Sequence, residues 1–178
     1  MKIPSPFIPL RVTTDNLCHR VDVVGRSYTF GADGMITQII TQGQELLAEP
    51  MRIVMVEDGK TSVFDNDYTA NESESFIQSR SDETAIICGC KQTDRFIIDF
   101  CNTIDYDGNI DIDFKLMTRG LTVAQVFGAE GKEPLQFKLD KLWLEIPLKK
   151  DFALFIICIK TVICISRMEQ LKKWNLPL

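Results

Sequence analysis

The stretch "RVDVVGRSYTFGADGMITQIIT", residues 20 to 41, decides the fold of this chain. Val21 and Val23 alternate with charged neighbours, as in a strand with one apolar face. Val24-Gly25-Arg26 predicts a tight turn, after which Tyr28 and Phe30 continue the apolar face. The opening half of the stretch therefore predicts a β-hairpin.

The same pattern continues along most of the chain. The turn Gly31–Gly34 follows the hairpin, because Gly and Asp tolerate the backbone angles of a reversal. Further strands are predicted at Met35–Thr41, Glu45–Leu47, Met51–Val56, Phe76–Arg80, Thr84–Lys91 and Phe96–Ile104. Pro50 should lie at a strand start or edge, because proline cannot donate a ladder hydrogen bond. The short polar connections between the later strands predict antiparallel neighbours.

Two later segments complete the pattern. Asp105–Asn109 contains the Asp-Gly signal of a hairpin. The strand after it alternates apolar Ile110, Ile112, Phe114 and Leu116 with charged residues. In Lys138–Leu148, three apolar residues at alternate positions (Leu142, Leu144 and Ile146) lie opposite Trp143, Glu145 and Pro147.

This organisation predicts an all-β fold, an antiparallel β-sandwich, because many short strands are separated by turns and no helix period precedes residue 150. Residues 1–17 are predicted to be an irregular N-terminal segment and residues 18–150 the sandwich domain. Residues 64–75 are predicted to be a polar loop, and residues 120–134 a glycine-containing linker.

Residues 151–178 form an atypical tail. The run Ala153–Ile165 is almost wholly apolar, and Arg167–Asn175 is predicted to be helical and basic. Two interpretations stay open: an ordinary buried last strand followed by a short helix, or a truncated or frame-shifted end. The run is too short and too interrupted for a membrane span, which needs ~20 apolar residues.

Composition excludes several classes of function. The 178 residues are 45% hydrophobic and 25% charged, which is typical of a globular domain. A net charge of −5, without a basic patch, argues against nucleic-acid binding.

Three prolines near the N-terminus (Pro4, Pro6 and Pro9) interrupt any apolar signal-peptide run. The chain is then either cytoplasmic or derived from a longer exported precursor.

The cysteines predict neither a metal site nor a cofactor site. There are six of them: Cys18, Cys88, Cys90, Cys101, Cys158 and Cys164. Cys88 and Cys90 are separated by one residue, whereas structural zinc sites have gaps of two to four. His19 is the sole histidine. We therefore expect the cysteines to be small buried hydrophobic residues on strands.

Three groups of residues are weighed as sites. Asp65-Asn66-Asp67 could contact Ca²⁺ or a sugar hydroxyl, but it lacks the EF-hand pattern, so a solvated loop is favoured. Asp111 and Asp113 lie on one strand face, as catalytic carboxylates of glycosidases could, but also as on any solvent-facing strand. Trp143, on the face away from Leu142 and Leu144, could stack on a sugar ring or pack under a neighbouring domain.

One longer segment carries a family resemblance. "YTFGADGMITQIITQGQELLAEPMRI", residues 28 to 53, shows a strand, then G-x-[IL]-x-x-[IL], then G-x-E-L-L, then a proline and another strand. It resembles the sandwich domains attached to bacterial glycoside hydrolases, namely the β-galactosidase small-chain domain and the N-terminal, supersandwich-like domain of family-123-like hydrolases. "IDYDGNIDIDFKL" and "KLWLEIPLKK" resemble the paired strands that follow in these domains. The resemblance spans roughly residues 20 to 150.

The resemblance implies an accessory domain whose catalytic barrel lies elsewhere. It suggests a sugar-contacting role for Asp65, Asn66 and Asp67, although the Trp-Arg-Ala-Pro-Thr run that precedes Asp-Asn-Asp in the β-galactosidase domain is absent here. Trp143 joins Asp65 and Asn66 as a carbohydrate-contact candidate because of its outward position on the strand. The resemblance implies no catalytic residue in this chain, a catalytic domain or carbohydrate as partner, and an exported parent protein. The alternatives are a stand-alone carbohydrate-binding module and, ranked last, a small enzyme that uses Asp111, Asp113 or the Asp65–Asp67 loop.

Overall fold

The computed structural model describes residues 3–64, 75–93, 95–118 and 139–155, and these form three antiparallel sheets. The predicted all-β, sandwich-like architecture is confirmed. The first sheet has five strands in chain order: β1 Arg11–Asp15, β2 Cys18–Val23, β3 Arg26–Phe30, β4 Ile36–Thr41 and β5 Gln44–Glu45. Its turns have left-handed backbone at glycines where the sequence predicts reversals, including Gly25, Gly34 and Gly43.

The other two sheets have rearranged strand orders. The second sheet has the order β11-β10-β9-β8, formed by β8 Phe76–Arg80, β9 Thr84–Gln92, β10 Phe96–Asp105 and β11 Ile110–Thr118. The third has the order β12-β6-β7, formed by β6 Arg52–Glu57, β7 Lys60–Val63 and β12 Leu139–Glu145. A 3₁₀ helix, Lys150–Phe155, follows the last strand. The predicted helix at 167–175 lies outside the described residues.

One hydrophobic core joins the three sheets. Every other residue of β10 is buried from Phe96 to Ile104, as its alternating sequence dictates. The core also receives Tyr28 and Phe30 from the first sheet and Leu142 from the third. Because all three sheets contribute to the same cluster, the described strands pack as one unit.

Two strands appear where the sequence analysis placed none. β1 lies inside the segment predicted to be irregular, and β7 follows the turn at Asp58 and Gly59. Both are edge strands of their sheets, and almost all of their residues are exposed. Their sequences, RVTTD and KTSV, show no alternation of apolar and polar residues, which is the pattern that predicts a half-buried strand.

The expectation that the cysteines are merely small buried hydrophobic residues is wrong for three of them, since Cys88 and Cys101 are bonded to each other and Cys18 is exposed. Cys158 and Cys164 lie outside the described residues. Cys88 on β9 lies directly opposite Cys101 on β10, and the two form a disulfide. Antiparallel register brings the two Cα atoms to 4.0 Å, within reach of a bond that spacing in the sequence does not reveal. Cys18 is a free, exposed thiol and Cys90 is free and partly buried.

Candidate functional site

Trp143 lies on the face of the third sheet that points away from the core, as predicted. Its partner across β6 is Val54, whereas the neighbouring pair Leu144 and Ile53 belongs to the core face. Directly opposed residues in an antiparallel pair point to the same side, so Trp143, Val54 and Val63 share one face of the sheet, on which Val54 is buried. Trp143 is partly buried and Val63 is 48% exposed.

An ion cluster flanks Trp143 on the same surface. Arg52 Nε donates to Glu145 Oε2 at 2.8 Å, and Arg52 Nη1 donates to Glu49 Oε2 at 2.9 Å. The hydrogen bond from Arg52 lowers the pKa of Glu145. Two carboxylates and one guanidinium give the cluster a net negative charge beside an indole ring. We call Trp143, Glu49, Arg52 and Glu145 the Trp143 surface.

A second polar group is buried at the turn between β3 and β4. Lys91 Nζ lies 2.7 Å from Asp33 Oδ2, and Asp33 Oδ1 accepts a hydrogen bond from the Met35 amide. Asn102, 2% exposed, donates through Nδ2 to the carbonyls of Gly34 and Ile87 at 3.0 and 3.1 Å. These contacts bind the turn of the first sheet to the core face of β9 and β10.

His19 belongs to the same region and has structural partners. Its Nδ1 lies 3.0 Å from Thr14 Oγ1, and its Nε2 lies 3.5 Å from the Ser75 carbonyl oxygen. The Ser75 hydroxyl in turn donates to the carbonyls of Leu17 and Gly31. His19 therefore ties β2 to the residue preceding β8.

A third junction connects the first sheet to the end of the third. The Gln38 side chain accepts a hydrogen bond from the Leu47 amide at 3.0 Å. The backbone at Leu47 then bridges antiparallel to Leu148, and the Lys149 amide donates to the Leu46 carbonyl at 2.8 Å. The G-x-E-L-L segment is thus a joint between sheets.

The hairpin turn before β11 docks on the first sheet through a fourth junction. Tyr28 Oη donates to the Gly108 carbonyl at 2.5 Å, and Arg26 Nη1 donates to the same oxygen at 2.9 Å. Burial raises the pKa of Tyr28, because the phenolate would lose its hydration. One carbonyl oxygen of the Asp-Gly turn is therefore held by two side chains.

The remaining candidates are not brought together in one place. Asp65 and Asn66 lie outside the described residues. Asp111 and Asp113 lie on the outer face of β11, opposite Thr103 and Cys101. Among the described residues, Asp111 Oδ1 is buried without a hydrogen-bond partner.

The surface also carries shallow depressions. One, of about 320 Å³, lies on the outer face of the first sheet and is lined by residues that include Arg20, Asp22, Ser27 and Gln42. Arg20 already donates to Asp22 Oδ1 at 2.8 Å and to Ser27 Oγ at 3.3 Å. Its guanidinium is therefore engaged within the sheet.

The described residues contain neither a metal-binding cluster nor a membrane-spanning helix. No group of three or more potential ligands (His, Cys, Asp or Glu) is close enough to hold a metal ion there. In the same part of the chain, no helix has the length and hydropathy needed to cross a membrane.

Sequence reasoning missed the polar group around Asp33, although a signal for it exists. Lys91 and Asn102 occupy core-facing positions in the alternation of β9 and β10, and Asn102 lies between Phe100 and Ile104 on that face. A polar side chain in that phase needs a buried partner. The sequence does not say that the partner is a turn some 60 residues away.

Comparison with known proteins adds no relative. No protein-family model matches the chain, and no curated protein matches it significantly.

Proposed function

We propose that this chain is a non-catalytic β-sandwich domain of a polysaccharide-processing glycoside hydrolase. The observation that carries the proposal is that the segment from Tyr28 to Ile53 connects the three sheets. The same segment bears the resemblance to such domains. Gly31–Gly34, Gln38 and Leu46–Leu47 form joints with the second and third sheets. This segment holds the sandwich together, and the domain acts by packing beside a catalytic barrel.

The disulfide supports the part of the proposal that concerns export. Disulfides form and persist mainly in oxidising compartments. Cys88–Cys101 links two central strands of the second sheet. A disulfide-bonded accessory domain therefore fits an exported parent enzyme.

A stand-alone carbohydrate-binding module is the second candidate, and the Trp143 surface favours it. An indole ring can stack on the apolar face of a pyranose, while flanking Glu49, Arg52 and Glu145 can exchange hydrogen bonds with sugar hydroxyls. The negative charge of the cluster favours a neutral glycan over an anionic one.

The gene tests the first candidate. We expect the region adjoining the codon for Leu178, translated in all frames, to encode a barrel domain with paired catalytic carboxylates. In the intact parent enzyme, deletion of the sandwich should lower the yield of soluble, active protein. A gene region that encodes no glycoside hydrolase would contradict the proposal.

Calorimetric titration with neutral oligosaccharides separates the two candidates. A carbohydrate-binding module would bind, and Trp143→Ala would abolish the binding. Phe76→Ala is the matched control, because Phe76 is an aromatic residue, 56% exposed, on a different sheet. If no glycan binds, the second candidate is rejected and the first stands.

A further inference from the structure

The outer face of β9 and β10 brings three cysteines and a carboxylate together. Cys88 is bonded to the directly opposed Cys101, and Cys90 lies directly opposite Asp99. Residues two apart on a strand point to the same side. The free thiol of Cys90 therefore lies on the same face as the disulfide, diagonal to Cys101.

A thiol beside a disulfide can exchange with it. The Cys90 thiolate would attack Cys101 Sγ, form a Cys90–Cys101 bond and release Cys88 as a thiolate, which would take up a proton in place of the one Cys90 lost. No external oxidant or reductant is consumed. The product would join diagonal residues, whose Cα atoms are about 7–8 Å apart in a regular ladder, beyond ordinary disulfide reach. Exchange would therefore distort the β9–β10 pairing.

The surroundings of Cys90 oppose the first step of this exchange. Only the thiolate is nucleophilic. Burial, with a hydrogen bond to the Asp99 carboxylate and its negative charge, raises the pKa of Cys90 to about 11. The other charged groups facing this patch come from β11, where Lys115 lies opposite Asp99 and Asp113 lies opposite Cys101.

The side contributed by β8 is uncharged. Gln78 places its Oε1 3.0 Å from Cys88 Sγ and 3.7 Å from Cys101 Sγ, over the disulfide. Phe76 lies opposite Cys88. Cys88 is 3% exposed although it is on the outer face. Access to the bond from solvent is therefore restricted at Cys88. Within the described residues, Cys90 is the free cysteine that shares this face with the disulfide.

We propose that Asp99 is a positioning residue that protects the Cys88–Cys101 disulfide by holding Cys90 as a hydrogen-bonded thiol. The carboxylate acts across the β9–β10 ladder on the one free cysteine that this face of the described chain presents. This role is independent of the proposed function.

The test compares Asp99→Asn with the wild-type chain. Iodoacetamide labelling with peptide mass mapping should show faster alkylation of Cys90 in the variant, by about tenfold for each unit that its pKa falls. After incubation at alkaline pH, disulfide mapping should find Cys90–Cys101 or Cys88–Cys90 in the variant and only Cys88–Cys101 in the wild type. Adding Cys90→Ser to the variant should restore the single pairing.

Asp113→Asn is the matched control, because Asp113 faces Cys101 rather than Cys90. It should leave both readouts at the wild-type level. Equal alkylation of Cys90 in Asp99→Asn and wild type would overturn the proposal, as would unchanged pairing in the variant. The wild-type chain provides a test that needs no variant: Cys90 alkylated as fast as the exposed Cys18 would also overturn it.

Discussion

Asn102 and Lys91 occupy positions where the alternation of their strands calls for apolar side chains. Each is buried, and each reaches the turn that follows β3: Asn102 through the Gly34 carbonyl and Lys91 through the Asp33 carboxylate. A buried polar group is costly unless its partner is in place. The two residues therefore favour one docking of the first sheet on the second over alternatives that would leave them unsatisfied.

Asp33→Ala should destabilise the fold by about 3 kcal/mol, because it removes a carboxylate from a largely buried ammonium group. Urea unfolding followed by circular dichroism measures the change. Asp22→Ala is the matched control, since Asp22 pairs with Arg20 at 2.8 Å on an exposed strand face and should cost under about 1 kcal/mol. Equal losses of unfolding free energy in the two variants would show that the Asp33–Lys91 pair stabilises the fold no more than the exposed Asp22–Arg20 pair does.

Tyr28 should make stability depend on alkaline pH. Its pKa in the folded chain is raised by burial above the ordinary value of 10.0, so the folded state retains this proton longer than the unfolded state. The stability that the protonated Tyr28 contributes to the folded state is complete below pH 10.0 and is lost as pH rises through the raised pKa.

Unfolding free energies measured at neutral pH and above about pH 10 check this expectation. Tyr28→Phe should be less stable at neutral pH by about 1–2 kcal/mol, since it loses the bond to the Gly108 carbonyl. The difference in unfolding free energy between the wild type and Tyr28→Phe should narrow as pH rises. A difference that stays constant with pH would exclude Tyr28 as the titrating group.

At the scale of elements, the approach of β9 to the β3–β4 turn depends on a glycine. A Cβ atom at Gly89 would lie 2.0 Å from the Asp33 carbonyl oxygen and 2.9 Å from Phe100 Cζ. Backbone cannot yield as a flexible side chain does. The pair Asp33 and Lys91 can form only because Gly89 lets the two backbones meet.

Gly89→Ala should therefore cost at least about 3 kcal/mol, at the upper end of overpacking effects. Thermal unfolding is a suitable measurement. Gly43→Ala is the control: it meets no atom within 4 Å, so its cost should be only the penalty of a left-handed backbone, about 1 kcal/mol. A Gly89 variant as stable as the Gly43 variant would mean that the turn and β9 separate freely.

Strands that alternate apolar and polar residues around a buried face were predictable, whereas β1 and β7, which show no such alternation, were not. β2, β3, β10 and β11 alternate apolar and polar residues because one side of each faces the core. β1 and β7 carry Thr, Ser and charged residues on both faces. Their pairing comes from neighbouring backbone, which leaves little mark in side-chain chemistry.

At the scale of the whole molecule, the third sheet is held by the joint at Gln38, Leu47 and Leu148. This joint, with core packing, connects the first sheet to the end of the described chain. The Gln38 side chain accepts the hydrogen bond of the Leu47 amide. Removing the Gln38 side chain should therefore weaken the contact between the first sheet and the end of the third sheet without opening the second sheet.

Gln38→Ala should increase hydrogen exchange at the amides of Leu47, Ala48 and Lys149 by about fivefold, which corresponds to ~1 kcal/mol of local opening. Mass-spectrometric hydrogen exchange measures it. Gln44→Ala, at an exposed position on β5, should leave exchange unchanged. Faster exchange throughout β9 and β10 would instead indicate that the sheets open together.

The sequence by itself determined the strand class of this protein, most of its turns and the outward placement of Trp143. These properties depend on alternation and on glycine backbone freedom, which are local along the chain. Only the tertiary structure decided the Cys88–Cys101 bond, the partners of Asp33 and Asn102, and the opposition of Cys90 and Asp99. Each of these depends on register between strands or on contact between sheets. The burial of many residues at once selects those contacts, and no single segment encodes them.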